Sequence, residues 1–470
     1  MNNSPKSYFL AGICGVGMSS LALLLKSRGN FVRGSDIILE GSEIERLKTA
    51  GIFVVSEQEG VSTLTNNDIL VVSSAIHSDN LVLLAAQKAN LIIQHRADVL
   101  AEVAAEYYLI AVSGTHGKTT TSGMIGYTLH QLGYNPITYV GGKIMGFSDY
   151  FPKEEDKKHL IDGKALMVIE TDESDASFLK FHPDITIITN IDKDHLGTYG
   201  ENFENLINAF KQFAEQYRER GGLVIGYGDD KNVKDIVSPI KQHILYGSEK
   251  DNDVLVNYHS ENNAAIISLE KENVSFRMDR GDEKTYLNAT ATALACHSLD
   301  VPLPQIFDVL TKFPGMERRM QVLGKYSGIT ILSDHADHPT EIKATLQAVS
   351  VRYPNKRLFL ILQPHRYTRV TNCFSGYVAA MEGIKNLVLL DIFPAGETCE
   401  DPIALNKSLR DSIQNKLGDS LMQITTAEEL FAKFPPILKS NDIVLFMGPG
   451  DIGKLAQKFS DTTATLNFKD

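Results

Sequence analysis

Seven residues in the first third of the chain combine the types that hold phosphate groups. They read Gly114-Thr-His-Gly-Lys-Thr-Thr120, and an apolar run precedes them while a helical pattern follows them. In a loop between a strand and a helix, backbone N–H groups and the helix N-terminus stabilise an anion. Lys118 suits contact with the terminal phosphates of a nucleotide, and the Thr119 hydroxyl suits contact with Mg²⁺. The pattern therefore predicts a phosphate-binding site.

This loop is shorter than the general P-loop pattern, which has a glycine five positions before Gly117 where this chain has Val112. A turn rich in glycine and threonine does not by itself require a ligand. Packing alone does not explain, however, why a lysine follows the loop glycine directly and three threonines follow the lysine. We therefore favour a ligand-binding role for the loop.

Two later strands end in side chains that suit a metal ion beside such phosphates. Ala165-Leu-Met-Val-Ile leads to Glu170, and Asp184-Ile-Thr-Ile-Ile-Thr-Asn190 is soon followed by His195. Ligands of parallel sheets collect at the carboxyl ends of the strands, so we expect Glu170 and His195 near the loop. Carboxylate and imidazole groups next to phosphates suit Mg²⁺ or Mn²⁺. The acidic run at 172–175 is equally compatible with a solvated turn.

The N-terminal segment has the pattern of a nucleotide-binding βαβ unit. Gly12-Ile-Cys-Gly-Val-Gly-Met18 follows a short apolar strand and opens an apolar helix, and a second strand at 31–36 ends on Asp36. A further strand, 68–74, carries hydroxyl groups at its carboxyl end. Because the glycine spacing is Gly-x-x-Gly-x-Gly, it does not distinguish NAD from a UDP group, which is bound by the same physics.

The remaining chain contains two further regions. Residues 253–278 alternate in short runs and predict an antiparallel sub-sheet, and residues 286–299 predict a helix with Asn288 in its first turn. Beyond a turn at Phe313-Pro-Gly315, strands are predicted at 329–332, 357–362, 387–391 and 443–447, with helices between them. Arg366 and Arg369 follow the second of these strands, and guanidinium groups grip carboxylates or phosphates in two-pronged contacts.

Composition limits the class of protein. A length of 470 residues favours two to four domains, and 43% hydrophobic with 22% charged residues is typical of soluble globular proteins. A net charge of −12 argues against broad nucleic-acid binding. The four cysteines show no paired spacing, which favours reduced thiols. Because neither a targeting segment nor a run of about 20 apolar residues is evident, we predict a cytoplasmic protein.

Taken in order, these motifs resemble the Mur ligase family, and within it the enzymes that join L-alanine to UDP-N-acetylmuramic acid. The resemblance spans nearly the whole chain. Its remaining motifs are Gly34-Ser-Asp36, Glu170-Thr-Asp-Glu-Ser-Asp-Ala-Ser-Phe178, Thr189-Asn-Ile-Asp-Lys-Asp-His195, Arg318-Arg319, His338-Pro-Thr-Glu341, Gln363-Pro-His-Arg-Tyr-Thr-Arg369, Asp391-Ile-Phe-Pro-Ala-Gly396 and Gly450-Asp-Ile-Gly-Lys454.

The resemblance implies an α/β fold of three domains. Residues 1–106 would form a Rossmann-like domain that binds the UDP-sugar. Residues 107–313 would form a central P-loop ATPase domain with a mainly parallel sheet, and residues 314–470 a C-terminal Rossmann-like α/β domain that binds the amino acid. The implied partners are UDP-N-acetylmuramate, L-alanine and ATP, without nucleic acid or membrane insertion, and the expected state is a monomer or a weak homodimer.

The implied reaction begins when ATP phosphorylates the lactyl carboxylate of the sugar, and the amine of L-alanine then attacks the acyl phosphate. A carboxylate must therefore meet a triphosphate, and two unit charges 4 Å apart repel by roughly 4 kcal/mol at an effective dielectric of about 20. Lys118 and two Mg²⁺ sites would neutralise this repulsion. By motif, Thr119 and Glu170 would hold one ion, and Glu170 and His195 the other.

The resemblance also implies a role for each motif residue. For ATP these residues are Gly114, Thr115, His116, Gly117, Lys118, Thr119 and Thr120, with Asn288 on adenine, Asp334 on ribose and Arg319 on the transferred phosphate. For the UDP-sugar they are Gly12, Gly15, Val16, Gly17, Met18, Ser35, Asp36, Ser74 and Arg96. For the amino acid they are His338, Arg366 and Arg369. The implied catalytic residues are Lys118, Glu170, His195, Arg319, Arg366 and Arg369.

The chain departs from the family pattern at three places. Cys14 stands where the family usually has glycine, and Lys284-Thr285 stands where the family has His-Asn. In the third domain the family's Asp-Asp-Tyr-Gly-His-His-Pro is replaced by Ser333-Asp-His-Ala-Asp-His338-Pro, so His335 replaces tyrosine and Asp337 replaces histidine. We expect these two changes to shift or broaden the choice of acceptor.

Three alternatives stay open. The murein-tripeptide recycling ligase of the same family shares the first glycine pattern and the Gly114 loop. A nucleotide-binding paralogue with an altered acceptor or without catalysis would fit the departures in the third domain. The catalytic residue types that are retained argue against it, namely Lys118, Glu170, His195, Arg366 and Arg369. An NAD dehydrogenase explains the N-terminal segment alone and leaves the second glycine loop without a function.

Overall fold

The structure is a computed structural model that describes residues 4–148, 150–152, 159–194, 196–216, 221–259, 261, 264–269, 272–278 and 282–463. The chain divides into two compact units, Met1–Pro314 and Gly315–Asp470. Both units are built from strands that alternate with helices. His195, a predicted metal ligand, lies outside the described residues, so its role stays a prediction.

The first sheet of the N-terminal unit has five strands, all parallel, in the order β3-β2-β1-β4-β5. Its elements are β1 (Ser7–Ala11), α1 (Val16–Ser27), β2 (Phe31–Ser35), α2 (Ser42–Thr49), β3 (Phe53–Val55), α3 (Glu57–Thr63), β4 (Asp68–Val72), α4 (Leu81–Lys88), β5 (Ile92–His95) and α5 (Arg96–Ala104). The chain runs outward from β1 in both directions. In such a sheet, ligands bind beyond the carboxyl end of the strand where the order reverses, which here is β1.

The second sheet of the same unit has nine strands in the order β14-β13-β12-β11-β10-β9-β6-β8-β7. Its elements are β6 (Tyr108–Ser113), α6 (Lys118–Gln131), β7 (Ile137–Tyr139), β8 (Leu166–Glu170), β9 (Ile185–Ile188), α7 (Phe203–Glu215), β10 (Leu223–Tyr227), α8 (Lys231–Val237), β11 (His243–Gly247), β12 (Val254–His259), β13 (Ala264–Leu269), β14 (Glu272–Phe276), α9 (Glu283–His297) and α10 (Leu303–Leu310). The predicted antiparallel sub-sheet is confirmed, because β12, β13 and β14 pair antiparallel.

The register of the second sheet brings three strand ends together. Strand β6 lies between β8 and β9, with Val112 opposite Glu170 and Ser113 opposite Ile188. Five of the six residues of β6 are buried, as its apolar run predicts for a central parallel strand. The loop after β6, the carboxylate at the end of β8 and the polar residues after β9 therefore emerge side by side.

One hydrophobic core joins the two sheets of the N-terminal unit. It includes Leu10 from β1, Leu100 from α5, Leu109 from β6 and the fully buried Phe178. Polar contacts reinforce the junction, since Arg28 donates to both carboxylate oxygens of Glu106 at 2.8 Å. This shared core makes residues 1–314 one compact unit, and the predicted division at residue 106 stays a prediction.

The C-terminal unit contains a five-stranded sheet in the order β15-β16-β19-β17-β18. Its elements are β15 (Gln321–Tyr326), β16 (Ile329–Asp334), α11 (Pro339–Arg352), β17 (Leu358–Leu362), α12 (Tyr367–Asn372), α13 (Phe374–Ala380), β18 (Leu387–Leu389), α14 (Pro402–Leu417), α15 (Ala427–Lys433), β19 (Ile443–Met447) and α16 (Ile452–Thr463). The four predicted strands are confirmed. The sequence did not indicate β15, an antiparallel edge strand whose residues are mostly half-buried. Among the described helices, none has the length and apolar character needed to span a membrane.

Candidate active site

The loop after β6 adopts a backbone that only glycine accommodates. Gly114 has φ +126°, and Gly117 has φ +86° at the N-terminus of α6. A Cβ atom at Gly114 would lie 2.2 Å from Thr189 Oγ1 and 2.9 Å from the carbonyl oxygen of Asn190. The loop thus packs directly against the segment after β9, which explains the glycine at its start.

Replacing Gly114 by alanine is expected to lower the free energy of unfolding by about 3 kcal/mol, because the backbone strain and the clash with Thr189 add. Gly146→Ala is the matched control. Gly146 also has a positive φ, +68°, but a Cβ atom added there would meet nothing within 4 Å, so a loss of about 1 kcal/mol is expected. Denaturant unfolding of both variants checks this, and equal losses would contradict the packing argument.

Asn190 and its neighbours hold the shape of the loop. Asn190 accepts the N–H of Thr115 at its carbonyl (3.0 Å) and the N–H of His116 at Oδ1 (2.9 Å). The hydroxyl of Thr189 and the amide of Asn190 both donate to the carbonyl of His116, at 2.6 and 2.8 Å. The backbone N–H groups of Thr115 and His116, two of the predicted ATP-binding residues, therefore fix the loop. The first turn of α6, Lys118 to Thr120, directs its N–H groups toward the same end of the sheet.

Lys118 lies in the loop, half-buried, with its ammonium among acceptors. Its Nζ donates to the carbonyl of Gly114 at 2.6 Å and to Glu173 Oε1 at 2.7 Å. Burial alone would lower the pKa of Lys118, but the negative charges of Glu173 and Glu170 outweigh burial and raise it. Lys118 is therefore a fixed cation at the place where the phosphates are predicted to bind.

Thr119 and Glu170 form the predicted metal-binding pair. The Thr119 hydroxyl donates to Glu170 Oε1 at 2.7 Å, and the N–H of Gly141 donates to Glu170 Oε2 at 2.6 Å. A hydroxyl and a carboxylate beside a phosphate-binding lysine are the oxygen ligands that Mg²⁺ prefers. The two residues thus fit a magnesium ion, and His195 stays a predicted second ligand.

Asn288 lies directly against the loop. A Cβ atom at Gly117 would lie 2.9 Å from Asn288 Oδ1. The helix begins at Glu283, so Asn288 is in its second turn and the expectation of the first turn was wrong. The departure at 284–285 belongs to the start of this helix, where the N–H and hydroxyl of Thr285 both donate to Asp282 Oδ1.

Asp36 and Ser35 fix the first glycine loop by accepting hydrogen bonds from its backbone. Asp36 accepts the N–H of Cys14 at 2.8 Å and that of Ile38 at 3.0 Å, one on each carboxylate oxygen. The carbonyl of Ser35 accepts the N–H groups of Gly12 and Ile13. Burial, with a contribution from Asp36, raises the pKa of the Cys14 thiol to about 11, so this thiol stays protonated at neutral pH.

Four of the predicted UDP-sugar residues differ in their exposure. Gly15 caps α1, and Val16 is 55% exposed in the first turn. The side chains of Met18 and Ser35, in contrast, are 3% and 0% exposed. Met18 faces the core because it lies on the inner side of α1, and Ser35 packs against Gly60 of α3. Ser35 is thus enclosed and Met18 nearly so, and the role of both residues in binding the UDP-sugar stays a prediction.

Arg96 and Ser74 connect the first glycine loop to the second sheet. Arg96 donates to the hydroxyl of Tyr139 at 3.4 Å, and Tyr139 donates to the carbonyl of Gly17 at 2.7 Å. Ser74 donates to Asp175 Oδ2 at 3.2 Å. The structure thus brings the residues predicted for the UDP-sugar next to the acidic run after Glu170.

The acidic run is not a solvated turn. Glu173 is 2% exposed, and Asp172 is half-buried with its carboxylate accepting the N–H of Ser174 at 2.9 Å. Nothing in the sequence separates Glu173 from its acidic neighbours, and nothing in it singles out Asn190. Both contact the loop from other strand ends, at separations of 55 and 74 residues. Only the pairing of β6 with β8 and β9 identifies them.

In the C-terminal unit, Arg369 is engaged by a residue that departs from the family pattern. Arg369 forms an ion pair with Asp337, and His365 Nδ1 lies 3.2 Å from the same carboxylate oxygen. Burial would raise the pKa of Asp337, but His365 and Arg369 together lower it. Arg366 is exposed at the start of α12, and its guanidinium forms no ion pair within the described residues. The two predicted arginines thus stand in different surroundings.

Asp334, Arg319 and His338 each contact other residues of the C-terminal unit. Asp334 is 4% exposed, and its carboxylate accepts the N–H groups of Met320 and Ala336 at 2.8 and 2.9 Å. Burial and two backbone donors thus engage this carboxylate, and its contact with the ribose stays a prediction. Arg319 lies 3.9 Å from Glu341, and His338 caps α11 by accepting the N–H of Thr340.

The other departure, His335, is half-buried beside two arginines. Burial, with Arg319 and Arg318, lowers its pKa from 6.5 to about 3. The unfolded chain therefore binds a proton below pH 6.5 that the folded chain excludes, and stability falls as the pH drops from 6.5 toward 3. Between pH 7 and 5 this amounts to about 2 kcal/mol. We expect His335→Tyr to remove this loss, measured by denaturant unfolding at both pH values, and parallel profiles would contradict it.

Three profiles of one protein family match successive parts of the chain. The profile described as Mur ligase family, catalytic domain, matches residues 8–108. The Mur ligase middle domain matches residues 112–296, and the Mur ligase, glutamate ligase domain, matches residues 318–450. A curated relative, the UDP-N-acetylmuramate–L-alanine ligase of Psychrobacter sp. (strain PRwf-1), is 33% identical over 466 residues, covering 97% of this chain and 95% of that protein.

Solved structures share the fold. A UDP-N-acetylmuramate–alanine ligase from Thermotoga maritima matches with a TM-score of 0.81 at 24% identity, covering 97% of this chain and 98% of its own. A murein peptide ligase from Psychrobacter arcticus 273-4 matches with a TM-score of 0.72 at 20% identity, covering 99% and 100%. The predicted α/β architecture of three domains is thereby confirmed. With its three profile matches and a full-length relative at 33% identity, the chain belongs to the Mur ligase family.

Proposed function

We propose that the protein is an ATP-dependent ligase that joins L-alanine to the lactyl carboxylate of UDP-N-acetylmuramic acid through an acyl phosphate. The observation that carries this proposal is the grouping of Lys118, Thr119 and Glu170 at one end of the second sheet. The naming of the full-length relative supports the choice of sugar and amino acid.

The described residues suit the first step of this reaction. The N–H groups of the first turn of α6 and Lys118 bind the phosphates of ATP, because those of Thr115 and His116 already donate to Asn190. Lys118 also offsets the charge that develops on the transferred phosphoryl group. Thr119 and Glu170 would hold Mg²⁺ or Mn²⁺, which would neutralise the phosphates as they meet the carboxylate. The Tyr139 hydroxyl connects Arg96 to the first glycine loop. Arg96 and this loop bind the UDP-sugar next to the ATP phosphates.

The choice of amino-acid acceptor is the part of the proposal most affected by His335 and Asp337, the two residues of the third domain that depart from the family pattern. Asp337 neutralises Arg369, whereas Arg366 forms no ion pair within the part of the chain that the structure describes. Arg366 therefore supplies the guanidinium for the carboxylate of the amino acid. We therefore propose that L-alanine is the main acceptor and that small amino acids such as serine and glycine also react. The enzyme acts in the cytoplasm as a monomer or a weak homodimer, which light scattering at several concentrations tests.

An acceptor panel tests the function directly. ADP release is measured with UDP-N-acetylmuramate, ATP and Mg²⁺, and with L-alanine, L-serine, glycine, a larger amino acid or the murein tripeptide as acceptor. The highest kcat/KM is expected with L-alanine. Turnover with the tripeptide alone would favour the recycling ligase, a second candidate because a murein peptide ligase shares the fold. If only L-alanine reacts, the proposed broadening by Asp337 is wrong.

A further inference from the structure

The ammonium of Lys118 has no hydrogen left for a phosphate in this arrangement. Its three donors face the carbonyl of Gly114 at 2.6 Å, the carbonyl of Thr115 at 3.3 Å and Glu173 Oε1 at 2.7 Å. The side chains of Lys118 and Glu173 are 16% and 2% exposed. The ion pair is therefore shielded from water, which strengthens it and makes its exchange for another partner costly.

Glu173 is fixed by its surroundings and is incompletely satisfied. Its carbonyl accepts the hydroxyl of the buried Tyr199 at 2.5 Å and the N–H of Ala176 at 3.1 Å, so the backbone cannot withdraw the side chain. Glu173 Oε2 is buried, and we find no hydrogen-bond partner for it in the described part of the chain. Burial accordingly raises the pKa of this carboxyl to about 7. An unsatisfied oxygen beside the loop indicates that the arrangement changes when a ligand arrives.

The charge around Lys118 is predominantly negative. Besides Glu173, the carboxylates of Glu170 and Asp172 act on the lysine. An incoming polyphosphate must compete with Glu173 for the ammonium and is repelled by all three carboxylates. A divalent cation at Thr119 and Glu170 reverses this balance by adding two positive charges next to the loop.

We infer that Glu173 is a positioning residue that holds Lys118 against the loop and makes nucleotide binding depend on a divalent cation. The inference rests on the proposed binding of ATP at this loop. Without the cation, Glu173 keeps Lys118 and excludes the nucleotide. With the cation, the phosphates take one donor of Lys118, while Glu173 continues to fix the direction of the side chain.

The test measures ADP binding by calorimetry to the full-length protein, with Mg²⁺ or with EDTA. The wild type is expected to bind ADP at least tenfold more tightly with Mg²⁺. In Glu173→Gln, an isosteric change that keeps an acceptor for Lys118, binding in EDTA is expected to tighten about tenfold, while binding with Mg²⁺ changes less than threefold. Asp172→Asn is the matched control, since it removes one of the three repelling charges and leaves the hydrogen bond between Lys118 and Glu173 in place. Binding in EDTA is expected to tighten by less than threefold in this control, and binding with Mg²⁺ is expected to change by less than threefold.

A kinetic measurement separates positioning from simple support of the fold. With Mg²⁺·ATP, Glu173→Gln is expected to lower kcat about tenfold while KM for ATP stays within threefold. An equal weakening of ADP binding with and without Mg²⁺, or an unchanged ratio between the two, would overturn the inference. Equal ADP binding by the wild type in Mg²⁺ and EDTA would also overturn it, whether or not the variant folds. If the wild type binds no ADP in either condition, the proposed function itself fails.

Discussion

Replacing Lys118 by alanine is expected to lower the rate of acyl-phosphate formation about a thousandfold. Lys118 is the cation held in the loop, and removing a preorganised donor from a developing oxyanion typically costs two to three orders of magnitude. Binding of UDP-N-acetylmuramate is expected to stay within twofold, because the first glycine loop is built from other residues. Hydroxylamine trapping of the acyl phosphate and calorimetry with the UDP-sugar measure the two effects.

Lys231→Ala is the control for this variant, because the Lys231 side chain is 84% exposed and its ion pair is with Asp235, one helical turn away. It is expected to leave both measurements unchanged. ATP turnover that persists in Lys118→Ala would refute the assigned role of the loop. A parallel loss of UDP-sugar binding would instead indicate that the substitution disturbs the fold of the whole N-terminal unit.

Replacing Glu170 by glutamine is the second substitution with a large expected effect. The amide keeps the size of the side chain. Its oxygen can still accept the N–H of Gly141, and its NH₂ group can donate to the Thr119 hydroxyl; these two partners now contact separate carboxylate oxygens at 2.6 and 2.7 Å. Removal of the charge is expected to lower kcat about a hundredfold and to raise the Mg²⁺ concentration for half-maximal activity about tenfold.

A Mg²⁺ titration of ADP release measures both quantities, and a Mn²⁺ titration shows whether a metal that binds more tightly restores part of the rate. Thr119→Val removes the hydroxyl of the other predicted metal ligand. This substitution is also expected to raise the Mg²⁺ concentration for half-maximal activity. An unchanged Mg²⁺ requirement in Glu170→Gln would exclude this carboxylate as a metal ligand.

The sequence predicted the parts of the site that follow from local pattern. An apolar run, a glycine loop and a lysine at a helix start specify β6, its loop and α6 within a few residues, and the same holds for Glu170 at the end of β8. The partners of these residues were not predictable in the same way. Asn190 and Glu173 reach the loop only because β8 and β9 flank β6, and strand order is set by the packing of the whole sheet.

The same limit applies to the exposure of individual motif side chains. Met18 and Ser35 belong to the motif by position, but the helix phase of α1 and the pleat of β2 turn their side chains into the core. Asp334 lies at the end of a strand, where ligands often bind, yet it binds the backbone around it. A motif thus identifies a segment, whereas burial decides which of its side chains remain available.

The hydrogen bond from Tyr139 to the carbonyl of Gly17 bears on how the enzyme can be engineered. It joins the end of β7 in the second sheet to the loop that opens the first sheet, across 122 residues of sequence. A chimera that takes its first hundred residues from another member of the family keeps Tyr139, and the acceptor is a backbone carbonyl. The contact can therefore re-form only where the incoming segment places the carbonyl of its residue 17 within reach of Tyr139, so substrate exchange by domain swapping must preserve the backbone at this point.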